Sequence, residues 1–325
     1  MLRTMLLAAL AAITVTPAFA QDVTIKFGFS STVDLENDNG AAALLFKYYV
    51  ESHSDDITVE VHGASALGSD ADVIQALQLG AGATMYIGGT ATFNTFIPKV
   101  GVLDLPFMWG DYAHVARALD GDVGEALKPE FEAAGFKVLG YGFSWGYRNV
   151  VTKGKSITKP GDVAGLKLRT IQSPIYVAAL NAMGANATPM SFNEVYTALQ
   201  TGVLDGFEHA ASMVYSTKLY EVSDHLALTR HLFGPTAMTY SLPLWNQLTP
   251  EQQQLVQDGA DFALAIARAM APGREQEALQ KLAAVGMAIT EVDTADFVAA
   301  AVPLQDDLAA GIAATDLLAA IRAAR

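Results

Sequence analysis

ITVEVHG (57–63), SDADVIQALQLG (69–80) and ATMYIGG (83–89) carry the reading of the fold. ITVEVHG alternates with period two and ends on glycine, which predicts a strand. In the next segment Ser69 stands as a helix cap, acidic residues occupy the first turn and Gly80 closes the helix, an arrangement that suits the helix dipole. ATMYIGG returns as a strand. Upstream, VTIKFGF (23–29) alternates in the same way, and the apolar spacing of Ala41, Leu44, Leu45, Tyr48 and Tyr49 predicts a helix after it. The order strand, helix, strand, helix, strand implies an α/β fold, with a parallel sheet covered by helices and ligands expected at the carboxyl ends of the strands.

FKVLGYGF (136–143) and GLKLRT (165–170) read as further strands of that sheet. A second unit of the same type is expected from about Tyr147, because VVTKGKSITKPGDVAG (150–165) is a connection punctuated by glycine and proline. In SFNEVYTALQTG (191–202), Ser191 and Glu194 match a capping box and Gly202 a helix stop. Thr249, Pro250 and Gln252 open another helix, whose apolar face is predicted at Leu255, Phe262, Ile266 and Met270. Pro272 is expected to end or kink it. The remainder is rich in alanine and predicted mostly helical, without internal repeats.

MLRTMLLAALAAITVTPAFA (1–20) has one basic residue, an apolar run and a small-x-small end at Ala18-Phe19-Ala20, the pattern of a secretory signal peptide cleaved after Ala20. The run is too short for a membrane span and is broken by Thr14, Thr16 and Pro17. The chain has no cysteine, so disulfides, thiolate metal sites and thiol nucleophiles are excluded. A length of 325 residues favours two domains over one, and a formal net charge of −14 argues against a nucleic-acid partner. The same acidity means that a small anion would bind only where local positive charge outweighs the global field, in an enclosed site.

Arg148 in FSWGYRNVV and Arg169 in GLKLRT each follow a short run that puts them at or near a strand end. A guanidinium presents a rigid fork that matches a carboxylate, so arginines fixed there suit an organic-anion site, although an arginine taken at random is more often on the surface. GFSWG (142–146) matches the nucleophile elbow of serine hydrolases, with Ser144 as nucleophile and His209, His225 or His231 as base. The elbow needs a helix directly after the serine, and Trp145, Tyr147, Val150, Val151 and Thr152 favour a strand instead. The histidines lack the spacing of a zinc helix, no acidic loop fits calcium, and the glycines do not form a dinucleotide or phosphate loop; neither metal nor cofactor is expected. Phe192 reads more readily as core than as a platform for a ligand, Trp145 equally as core or interface, and His209 after Glu208 as a structural histidine or a ligand contact.

Long stretches settle these alternatives by resemblance: ASALGSDADVIQALQLG, VLDLPFMW, GYRNVVTKG, GLKLRT, GANATPMSFNEVYTALQTGVLDGFEH and STKLYEVSDHLALTRHLFGP. With these the chain resembles the solute-binding proteins of tripartite ATP-independent periplasmic (TRAP) transporters over nearly its whole length beyond the signal peptide. The resemblance implies two α/β lobes with a central cleft, strands crossing at a hinge, a long helix spanning both lobes, and closure on the ligand. It assigns 21–146 plus about 235–272 to lobe I and 147–234 plus about 273–325 to lobe II. It makes Arg169 the residue that holds the substrate carboxylate, Arg148 a second arginine near the ligand and Phe192 an aromatic packed on it. The family usually reads D-G-x-E-N where this chain ends in Glu208-His209, and the missing asparagine helps hold the carboxylate. A neutral imidazole still donates one hydrogen bond, and a protonated one would tighten anion binding as pH falls. Ser30 and Gly89 stand where sialic-acid members present Asn and Glu, which argues against sialic acid. The expected binding set is Arg169, Arg148, His209, Phe192, Trp145, Ser30 and Glu208, and the aromatic group Trp145, Tyr147 and Phe192 suits a sugar acid, hydroxy acid or cyclic carboxylate. The implied function is capture of a small organic acid by a periplasmic monomer, without catalysis, for a membrane permease. A ligand-presenting protein for a sensor kinase would share the site, and a secreted hydrolase using Ser144 is the alternative from another class.

Overall fold

The computed structural model describes residues 22–143 and 146–325; the predicted signal peptide, Ser144 and Trp145 lie outside the described residues. The strands, in chain order, are β1 (Val23–Gly28), β2 (Ile57–His62), β3 (Met85–Gly89), β4 (Phe136–Gly142), β5 (Tyr147–Thr152), β6 (Lys167–Thr170), β7 (Asn186–Pro189), β8 (Gly206–Ala210), β9 (His225–Phe233), β10 (Thr236–Ser241) and β11 (Ala288–Glu291). They form one sheet in the order β2-β1-β3-β10-β4 and another in the order β11-β9-β5-β8-β6-β7. Each sheet is the centre of one lobe.

The parallel core of the first lobe follows the sequence pattern. β1 pairs in parallel with both β2 and β3, and the intervening helices run over Asp38–His53 and Asp70–Leu79. Ser69 and Asp72 cap the second helix reciprocally, and Gly80 ends it at φ 64°, a left-handed geometry that costs glycine least. Two expectations need correction. The first sheet is mixed, because β10 runs antiparallel between β3 and β4, and GLKLRT forms β6 of the second sheet. The chain leaves the first lobe between β4 and β5 and returns between β9 and β10, and where the crossings meet Gly234 N donates to Gly146 O at 2.9 Å.

The long helix spans Pro250–Ala284 without interruption at Pro272. Thr249 and Gln252 cap it reciprocally. Its first half buries Val256, Ala260, Ala263, Leu264 and Ala267 in the first lobe, and its second half buries Ala278 and Leu282 in the second. Packing on both lobes offsets the cost of an interior proline, about 3 kcal/mol. The buried face is mostly alanine with Gly259, joined by Val256, Leu264 and Leu282, whereas the predicted Met270 is 44% exposed. The Asp38–His53 helix buries the expected Ala41 but adds Ala42, Ala43, Phe46 and Val50 to that face and leaves Tyr48 exposed. Small residues let the two helices approach closely: a Cβ on Gly259 would sit 2.8 Å from Val50 Cγ2 and 3.3 Å from the Phe46 ring.

The Ser191–Glu194 capping box does not form; Ser191 makes no side-chain cap bond, and a short 3-10 turn over Phe192–Glu194 leads into a helix over Val195–Gln200. The tail also departs from the assignment of 273–325 to lobe II. Helices Gln305–Gly311 and Thr315–Ala323 bury Ala309, Leu318 and Ile321 against Leu103, Val115 and Leu127, and His114 Nε2 bonds Ile321 O at 2.7 Å. Among the described residues no helix is long and apolar enough to cross a membrane. Filling the closest helix contact tests this packing: Gly259→Leu should lower unfolding stability by about 2–3 kcal/mol in urea titration, whereas Asp261→Leu on the exposed face should stay within about 0.5 kcal/mol.

Candidate functional site

The carboxyl ends of both sheets face a common cleft. Ser30 follows β1, Asp70 and Ala71 open the helix after β2, and Thr92 and Thr95 follow β3; Arg169 lies in β6, Ile171 and Gln172 follow it, Met190, Ser191 and Phe192 follow β7, and His209 lies in β8 beside Met213. These residues surround about 550 Å³ of space, a figure that includes the open mouth of the cleft.

Arg169 is the centre of the second-lobe wall. It is 2% exposed, and its Nε and Nη2 both donate to Met190 O, at 2.9 and 2.6 Å. Its remaining nitrogen, Nη1, is buried without a hydrogen-bond partner among the described residues. The guanidinium lies 5.7 Å from the centre of the half-buried Phe192 ring. Burial, reinforced by Arg148, lowers the Arg169 pKa to about 10, so it stays charged at neutral pH. A charged fork pinned on one edge, with a donor left over in a cleft, matches a carboxylate oxygen.

Arg148 and Glu208 occupy a different place from the one expected. Both are fully buried and neither lines the cleft. Arg148 Nε and Nη2 clasp the Glu208 carboxylate, with Nη2 at 2.9 Å from Oε1, and Thr170 Oγ1 donates to the same Oε1 at 2.8 Å. Burial opposes the charge on Arg148, but the Glu208 carboxylate overcomes it and holds the Arg148 pKa above its ordinary value. The pair forms the floor behind the cleft and neutralises one of the two arginines.

His209 is buried and faces the cleft. Its Nδ1 accepts from the backbone N–H of Ala210 at 2.9 Å, so the neutral ring carries its proton on Nε2. The imidazole meets Phe192 edge to face at 5.4 Å. Burial, then Arg148 and Arg169, push its pKa well below 6.5. That direction runs against the expectation that His209 gains charge as pH falls and favours the neutral ring as a donor. Ser30 lines the opposite wall.

Sequence reading missed Asp70, Thr92, Thr95 and Gln172 in the lining. The only signal for Asp70 was its place in the first turn of a capped helix, which a structural role explains equally well. In the fold Asp70 Oδ1 accepts from Tyr86 O–H at 2.9 Å, and burial raises its pKa. Among the described residues no group of His, Asp or Glu is arranged to hold a metal.

Two lobes joined by crossing strands, with an anion-matched cleft at the strand ends, define a solute-binding protein. The family model described as bacterial extracellular solute-binding protein, family 7, matches residues 29–311, and the chain belongs to that family, the DctP group of TRAP solute-binding proteins. The chain is 32% identical to the 2,3-diketo-L-gulonate-binding periplasmic protein YiaO of Escherichia coli (strain K12) over 90% of this chain and 88% of that one. It is 31% identical to the C4-dicarboxylate-binding periplasmic protein DctP of Rhodobacter capsulatus, over 95% and 92%. Its structure matches that of the sugar acid binding protein DctPAm from Advenella mimigardefordensis strain DPN7T in complex with galactonate, with a TM-score of 0.89 and 29% identity over 94% of this chain and all of that one.

Removing one member of the buried pair leaves the other charge unpaired, so Arg148→Met should cost about 3–5 kcal/mol of unfolding stability, and Arg148→Met with Glu208→Leu should cost less than the single change. The His209 ring should show no titration between about pH 5 and 8 by NMR; an inflection near 6.5 would contradict the depressed pKa.

Proposed function

We propose that this chain captures a small organic acid in the periplasm, after removal of residues 1–20, and delivers it as a monomer to the membrane permease of a TRAP transporter, with no catalysis of its own. The observation that carries the reading is the Nη1 of Arg169, buried in the wall of the interlobe cleft without a hydrogen-bond partner among the described residues. In this reading Arg169 and the Nε2–H of His209 hold the ligand carboxylate, Phe192 packs on the ligand and Ser30 meets it from the first lobe. Arg148 and Glu208 act from behind, by fixing β5 against β8 and so the position of His209. His209 then supplies the donor for which the family commonly uses asparagine, and its neutral ring makes that donor independent of pH over the ordinary range.

The relatives support the class of ligand, since their names describe binders of a diketo acid, a C4-dicarboxylate and a sugar acid. A charge-assisted hydrogen bond contributes about 1.5–3 kcal/mol, against about −8 kcal/mol for a micromolar complex. Arg169→Ala should therefore weaken binding of whichever carboxylate the wild-type chain takes by about 10- to 150-fold in isothermal titration. Affinity unchanged in that variant would refute the assignment.

A further inference from the structure

The first-lobe wall is chemically unlike the wall that bears Arg169. Ser30, Thr92 and Thr95 contribute hydroxyl groups, and Asp70 contributes a carboxylate. Among the described residues no lysine, arginine or histidine lies within salt-bridge distance of Asp70, although Arg169 across the cleft is near enough to act on it electrostatically. Its Oδ1 is held by Tyr86, whose hydroxyl also contacts Thr92 Oγ1 at 3.2 Å, so Asp70 is aimed rather than free to swing away. The lining of the cleft thus offers one guanidinium on the second-lobe wall and one carboxylate with hydroxyls on the first-lobe wall; the second arginine is already matched by Glu208.

We propose that Asp70 makes the cleft selective for a hydroxylated monocarboxylate: it accepts hydrogen bonds from ligand hydroxyls and repels a second carboxylate brought against the first-lobe wall. This rests on the assignment of the ligand carboxylate to Arg169. A carboxylate in a partly dry wall accepts hydroxyl protons strongly, whereas two like charges brought together there are poorly screened. A diacid would need a second cation on the first-lobe wall, and the described lining has none. The family contains binders of both chemistries, so the choice falls to residues such as this one.

The test compares acids that differ only at the far end. Mature chain stripped of ligand is titrated calorimetrically at about pH 8, where carboxylates are ionised, with galactonate against galactarate and with threonate against tartrate; succinate and pyruvate complete the set. The wild-type chain should bind the monoacid of at least one pair, and its diacid at least about tenfold more weakly. Asp70→Asn keeps an acceptor for Tyr86 and should narrow that ratio by about fivefold or more, mainly by tightening the diacid. A diacid bound as tightly as its monoacid, or a ratio unmoved by Asp70→Asn, would overturn the inference. Binding of succinate or pyruvate alone, abolished by Arg169→Ala, would overturn it while leaving the Arg169 assignment standing. Binding of none of the six acids would overturn both.

Discussion

The ion pair between Arg148 and Glu208 organises everything around the cleft. Arg148 lies on β5, the first strand after the chain crosses between lobes, and Glu208 on β8, its antiparallel neighbour. Thr170 of β6 completes the clasp, so one buried carboxylate ties together three strands that end at the cleft. Such a pair is costly to bury and stable only when its hydrogen bonds are satisfied, which makes its geometry exacting. Two consequences follow for the chemistry in front of it. With Arg148 matched, Arg169 is the cation left to face a ligand; and the positive charges of both arginines, added to burial, keep the neighbouring His209 neutral.

Local signals were legible where local physics decides. The Ser69 cap with Gly80, and the Thr249–Gln252 cap of the long helix, formed as read, because capping is a contact among near neighbours in sequence, whereas the Ser191–Glu194 box of the same spacing did not form where a 3-10 turn opens the segment. The parallel run of β2, β1 and β3 was legible for the same reason. What the pattern left out depends on contacts distant in sequence. β10 enters between β3 and β4 from a segment distant in sequence, and no periodicity in either segment marks that insertion. The helix faces were misassigned because close packing between helices favours Ala and Gly over the large apolar residues that dominate a periodicity reading. Within the site, Arg169, His209, Phe192 and Ser30 were found through the resemblance. Asp70 was not, since its place in a helix's first turn already had a sufficient local explanation.

The division of labour between the walls follows from the charge of the whole chain. A protein with a net charge of −14 repels anions at its surface, so recognition has to take place where fixed donors are close and solvent is scarce. The second lobe supplies those donors, and the first supplies acceptors and hydroxyls. Neither wall alone satisfies an acid that also carries hydroxyl groups, so the complete site exists only when the lobes face each other.

The long helix gives that requirement a mechanical form. It is rooted in the first lobe by one half and in the second by the other, so it cannot remain a straight, rigid rod while the lobes change their mutual angle. Pro272 sits between the two rooted halves, and because proline has no N–H, the carbonyl of Arg268 loses its backbone donor there. The helix is thus a single tie across both lobes, with one rung of its backbone ladder missing close to where it passes from one lobe to the other.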